Sequence, residues 1–93
     1  MATVTFTQAH MRKLNEPVVV PAKRYGFFPE MFVWRGQRHD ISAVEACRTE
    51  VRQDWRGRVE RHRFRVRTAD GVFELTQDPA QDTWKLEKMW SEG

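Results

Sequence analysis

The sequence predicts an all-β fold, an antiparallel meander of five or six strands curled into a half-open barrel. Three observations carry this expectation. From Glu60 to Leu75 the chain alternates: Arg61, Arg63, Arg65 and Arg67 hold one parity, and His62, Phe64, Val66 and Thr68 the other. Strand side chains alternate faces with period two, so the arginines line one face and a mostly apolar row the other. Asp70-Gly71 then supplies a hairpin signal, and a second alternating run follows it. Finally, a two-residue loop there and a four-residue turn at 78–81 align three strands at once. Val66–Leu75–Trp84 and Thr68–Phe73–Leu86 fall inside and Arg67–Glu74–Lys85 outside, with Trp90 continuing the inner parity.

Upstream, Thr3 to Thr7 alternates threonine with Val4 and Phe6 and reads as a short edge strand. Gln8 to Asn15 is polar and basic, a loop or a weak helical turn. Glu16 to Pro21 is β-branched and bracketed by Pro17 and Pro21. Proline donates no ladder hydrogen bond, so this segment is expected as an edge strand or an extended arm. Ala22 to Glu30, with Gly26 and Pro29, reads as a loop exposing Tyr25, Phe27 and Phe28. Met31 to Arg35 is a strand with Phe32 and Trp34 on one face; Gly36-Gln37 turns it, and Arg38 to Ala43 begins the return.

Residues 43–55 support two readings. Ser42-Ala43-Val44-Glu45 matches a capping box, and Val44, Cys47, Val51 and Trp55 follow at helical spacing, which together describe one short helix. The other reading extends the strand to about Cys47 and makes Arg48 to Gly57 a long connection. The expected organisation is an N-terminal strand or loop extension over 1–15 and a single small β domain over 16–93, SH3-like in its barrel. Its core is Phe32, Trp34, Ile41, Phe64, Val66, Phe73, Leu75, Trp84 and Leu86.

A chain of 93 residues buries only roughly 60–70% of its unfolded surface, and four Trp and six Phe compensate for that small size. The net charge of +3 is unevenly placed: from Arg48 to Arg67 eight arginines face only Glu50, Asp54 and Glu60, leaving +5 there and −2 elsewhere. Cys47 is the only cysteine, which excludes an internal disulfide, fits a reducing cytoplasm, and on the apolar parity suggests a buried small hydrophobe. No run approaches membrane-spanning length, and a soluble cytoplasmic protein is expected. His10, His39, His62 and Cys47 lack metal-ligand spacing, and His39 and Asp40, as strand neighbours, point to opposite faces. No phosphate loop or activated nucleophile is present, so neither an enzyme nor a cofactor is expected.

The candidate contact surface is therefore the arginine row, Arg61, Arg63, Arg65 and Arg67, extended by Arg56 and Arg58. Guanidinium groups suit phosphate, and four such contacts predict a log K against log salt slope of roughly −3 to −4. With Glu74 placed opposite Arg67, Arg63 and Arg65 are the stronger candidates. Tyr25, Phe27 and Phe28 beside Lys23 and Arg24 are candidate base-stacking groups, with use in the core as the rival role.

The stretch from Pro29 to Val44 (PEMFVWRGQRHDISAV), then Trp55, Arg63 to Val66, Asp70-Gly71, Phe73 to Leu75 and Trp84 to Leu86, resembles a known family. It is a small bacterial domain of unknown function, found alone and, in similar form, at the C-terminus of ImuB-type homologues of Y-family DNA polymerases. Phe32-x-Trp34-Arg35-Gly36 is its most specific piece. Two positions depart from that pattern: Cys47 stands where a Trp is expected, and Asp54-Trp55 where paired Trp is expected. The resemblance implies an all-β, bacterial, cytoplasmic accessory protein linked to DNA repair or the damage response, without polymerase activity. The functional expectation is a non-enzymatic nucleic-acid-binding module. Its alternative is a protein-interaction module that uses the arginine face or the edge of Val18 to Val20, within a repair or replication assembly.

Overall fold

Alternation runs through nearly the whole chain, and the backbone follows it. The computed structural model describes residues 9–92 and places them in six antiparallel strands: β1 (Ala9–Arg24), β2 (Phe28–Trp34), β3 (Gln37–Asp54), β4 (Gly57–Thr68), β5 (Gly71–Asp78) and β6 (Thr83–Glu92). Each pairs with the next, and β1 also pairs with β6, which closes the meander into a barrel. The strand expected at Thr3 to Thr7 lies outside the described residues.

Two long strands turn the corners. β1 pairs with β6 from Ala9 to Val18 and with β2 from Val19 to Arg24. Gln8 to Asn15, expected as loop or helical turn, thus supplies the first half of a strand from Ala9 on. Its irregularity is confined to a register shift between Lys13 and Glu16, where Asn15 has φ 53°. Among the described residues each half of β1 has a strand on one side only, which explains how it accommodates Pro17 and Pro21. β3 changes partner in the same way, from β2 (Gln37–Asp40) to β4 (Ile41–Asp54).

β3 also decides residues 43–55: 43–54 are strand and Trp55 begins the turn to β4, among the described residues no helix occurs, and Arg48 to Asp54 is not a connecting loop. The apparent capping-box residues Ser42 and Glu45 are instead the two positions skipped in the β3–β4 register. The Ser42 hydroxyl donates to the Arg67 carbonyl at 3.1 Å, and Glu45 accepts from the Arg67 guanidinium at 2.7 Å. Local helix signals lost to a 12-pair ladder with β4.

Val18, Phe32, Phe64, Val66, Phe73, Leu75, Trp84 and Leu86 form the buried core, with Trp34, Ile41 and Met89 half-buried against it. The faces are those expected from alternation, whereas the pairings are displaced by two residues. Val66 faces Phe73, Phe64 faces Leu75, and Leu75 faces Leu86. The loop of the β4–β5 hairpin is Ala69-Asp70, one residue earlier than expected, and Thr68 closes it by accepting the Asp70 N–H at 3.0 Å. Gly71 serves another purpose: with φ 125°, a Cβ there would stand 2.5 Å from the Trp90 carbonyl oxygen. The Trp34–Gln37 hairpin turns on Arg35-Gly36, also one residue early, both at positive φ as a type I′ turn requires. In β6, Glu87 is skipped between Leu86 and Lys88. That bulge exchanges the faces beyond it, so Met89 points inward and Trp90 lies on the arginine face, contrary to its expected inner parity.

β5 pairs with β4 only from His62 onward, so Glu50–Asp54 and Gly57–Arg61 continue as a two-stranded ribbon beyond the barrel. The molecule is elongated, with extents of 54 × 29 × 24 Å.

Candidate functional site

Alternation does put Arg61, Arg63, Arg65 and Arg67 on one outer face, but the tertiary structure sets a carboxylate against each. Arg61 lies 3.3 Å from Asp78, and Arg67 2.7 Å from Glu45. Arg63 bridges two acids, donating to Glu74 at 2.7 Å and to Glu50 at 3.0 Å. Arg65 is 4.0 Å from Glu74 and has its guanidinium over the Trp90 ring at 4.8 Å. The four cations thus meet four acids, Glu45, Glu50, Glu74 and Asp78. Glu74 stands opposite Arg65 and not Arg67, so Arg63 and Arg65 do not lie away from it as expected.

Arg63 is the most deeply engaged of the four. Its side chain is 23% exposed and that of Glu74 only 8%. Hydrogen bonds to Glu74 and Glu50 hold the Arg63 pKa above the ordinary guanidinium value. The same contact, helped by nearby Arg48 and Arg52, holds Glu50 below the usual carboxylate range. This geometry describes a structural cation. The signal that could have revealed it was a strand carried on to Asp54, beyond the Cys47 limit of the strand reading, which brings Glu45 and Glu50 alongside β4.

The ribbon differs. Arg52, Arg56 and Arg58 are exposed, and among the described residues Arg52 and Arg56 make no ion pair. Arg58 reaches only Glu60, at 3.8 Å. At the tip, Asp54 Oδ1 accepts the Arg56 N–H at 2.8 Å, which fixes the two-residue loop Trp55-Arg56. Trp55 is 88% exposed, with the Arg56 guanidinium 5.0 Å from its ring centre.

The aromatic segment divides. Phe27 and Phe28 are half-buried and close one end of the barrel. Phe27 makes edge contacts with Phe28, His62 and Phe64 at centroid distances of 5.0 to 5.2 Å. Tyr25 is 89% exposed at the apex of the β1–β2 turn, where the Phe27 N–H donates to the Arg24 carbonyl at 3.1 Å. Behind Tyr25 a groove of about 450 Å³ runs between β2 and β3, lined in part by Phe28, Pro29, Ile41 and Val44. Cys47 opens onto it. The residue shares the inward face with Phe64, its β4 partner, yet it is exposed, because β2 pairs with β3 only as far as Asp40. Partial desolvation raises its thiol pKa.

The Phe32-x-Trp34-Arg35-Gly36 motif is accounted for by packing. Phe32 is core, and Trp34 Nε1 donates to Glu16 at 2.9 Å. Arg35 forks onto both oxygens of Glu16 at 3.0 and 2.7 Å while lying 4.7 Å over the Trp34 ring. These contacts depress the Glu16 pKa, the Arg35 hydrogen bond most of all. His39 is buried, stacked on Phe32 at 4.9 Å, and its Nδ1 lies 3.0 Å from Asp70 but out of line for a hydrogen bond. Among the described residues no cluster of His, Cys, Asp and Glu could hold a metal ion, and no helix is long and apolar enough to cross a membrane.

The edge of Val18 to Val20, expected to be free for strand addition, is where β1 passes from β6 to β2: Val18 pairs with Trp84 and Val19 with Val33. A longer unpaired edge belongs to β3, which from Ile41 to Asp54 has β4 on one side and, among the described residues, no strand on the other.

A family model described as "Domain of unknown function (DUF6504)" matches residues 3–91. No curated protein and no solved structure matches the chain.

Proposed function

The chain belongs to the DUF6504 family, and we propose that it is a non-enzymatic nucleic-acid-binding accessory module contacting phosphates through Arg56 and Arg58 at the tip of the ribbon. The resemblance to the C-terminal domain of ImuB-type polymerase homologues supports placing it in bacterial DNA repair or the damage response, in the cytoplasm. One observation carries the choice of residues. Arg61, Arg63, Arg65 and Arg67 are each matched by a carboxylate, whereas Arg56 has none and Arg58 only a distant one. A guanidinium already forked onto an acid must give up that partner to take a phosphate, and an unpaired one on a projecting ribbon need not.

Two phosphate contacts per chain give a shallower salt dependence than a row of four. The log–log slope is roughly −2, so a fourfold rise in salt weakens binding by about tenfold. Fluorescence anisotropy with labelled single-stranded and duplex DNA at low and moderate salt tests this. Arg56→Glu/Arg58→Glu abolishes binding if the reading is right. Binding that survives this pair, or its absence from the parent protein at low salt, rejects it.

A further inference from the structure

The unpaired edge of β3 is self-complementary. Most free edges are blunted by bulges, prolines or charges that repel a second strand. Here the bulges are confined to Ser42 and Glu45, and the ladder with β4 is regular from Ala46 to Asp54. An unpaired strand edge offers a row of backbone N–H and C=O groups, and what satisfies it is another strand.

Which strand fits is decided by charge. Arg48, Glu50, Arg52 and Asp54 share one face of the ribbon, since residues of equal parity do. Placing two copies of the edge antiparallel with Val51 opposite Val51 sets Arg48 against the partner's Asp54 and Glu50 against the partner's Arg52. Each pair occurs twice by symmetry, while Thr49 meets Gln53 on the other face. Moving the axis to Glu50 opposes Glu50 to itself and Arg48 to Arg52, so the charges select the Val51 register. Among the described residues Arg52 and Asp54 make no ion pair within one chain, while Arg48, which faces Arg63 across the β3–β4 ladder, reaches only Glu50, at 3.5 Å. In this pairing Arg52 and Asp54 gain an opposite charge, and Arg48 gains a second.

The ends of the edge match as well. The same register carries Trp55 to the level of the partner's Cys47, where the groove between β2 and β3 opens. That groove, about 450 Å³ and lined by Phe28, Ile41 and Val44, is roomy enough for an indole, and Trp55 is otherwise 88% exposed. We propose that the chain forms a two-fold dimer by pairing β3 edges about Val51, with Trp55 of each protomer seated in the groove of the other. The occupant of the edge is a second copy of this chain. Arg56 and Arg58 are not members of the opposed charge pairs, so this association stands apart from the nucleic-acid reading.

Sedimentation equilibrium over a wide concentration range tests it, with thermal melts confirming that each variant is folded. The parent protein shows a concentration-dependent monomer–dimer equilibrium. Arg48→Asp turns two symmetry-related attractions into repulsions and weakens the dimer by roughly tenfold or more. Arg48→Asp/Asp54→Arg restores it, because the swapped charges again oppose, and Trp55→Ala weakens it. A parent that stays monomeric at millimolar concentration, or an Arg48→Asp variant that dimerises like the parent, overturns the proposal. A folded charge-swap variant that stays monomeric overturns the register.

Discussion

Arg63 was a leading candidate for phosphate contact, and the structure makes it the arginine whose loss costs the fold most. Replacing it with Met keeps the strand and removes the charge. Glu74, with a side chain only 8% exposed, is then left with Arg65 at 4.0 Å. A charge-assisted hydrogen bond is worth about 1.5–3 kcal/mol, and stranding a buried carboxylate adds to that. The contacts to Glu50 are exposed and add little, as surface ion pairs do. Together these give a loss of about 2–3 kcal/mol, or a melting midpoint lower by roughly 10–20 °C for a domain of this size. Arg65→Met, at a half-exposed position, costs less than about 1 kcal/mol. Arg63→Met/Glu74→Met, which removes both charges, recovers part of the loss because no buried acid is stranded. Chemical denaturation of the four proteins provides the measurement. An Arg63→Met variant with the parent's stability, or one no less stable than Arg65→Met, refutes the structural assignment.

Other outcomes follow from the same contacts. Trp84→Ala, at a core position packed on Phe64, costs about 3–5 kcal/mol, which denaturant titration reads directly. Gly71→Ala places a methyl group against the Trp90 carbonyl at unfavourable φ and costs more than about 2 kcal/mol. Gly36→Ala, with open space around it, costs about 1 kcal/mol, so equal melts for the two glycine variants contradict the close approach. Glu16, Glu50 and Asp82 have pKa values depressed by Arg35, Arg63 and Lys23 respectively. Their folded values lie below their unfolded ones, so the stability they add is present above about pH 4.5 and is lost as pH falls through the lower folded values. Melting midpoints measured from pH 6 down to about pH 3 therefore decline, and Glu16→Gln flattens part of that decline.

The inward set of β4, β5 and the start of β6 was legible in the sequence, because facing is a local property. Phe64, Val66, Phe73, Leu75, Trp84 and Leu86 alternate with polar residues, and no other strand conformation buries all of them at once. The pairing of those strands was not legible, for an equally simple reason. A one-residue slip reverses the faces and is excluded by the pattern, whereas a two-residue slip preserves every face and is invisible to it. Thr68 and the close approach of Gly71 to Trp90 set the true register, and a side-chain cap and a backbone contact with the neighbouring strand leave no periodic trace. The bulge at Glu87 likewise moved Trp90 across the sheet.

Charge was the least legible quantity. The sequence by itself determined that four arginines share one face of β4. Only the tertiary structure decided that each meets a carboxylate, because the acids come from β3 and β5, with Glu45 and Glu50 on a stretch read either as helix or as a strand giving way to a connection at Arg48. The exposure of Cys47 was decided in the same way: its parity is inward, but β3 outruns the wall that would have covered it, and carries Trp55 out to the turn at its tip. Period-two patterning reports the face a side chain takes, and the structure reports what stands opposite.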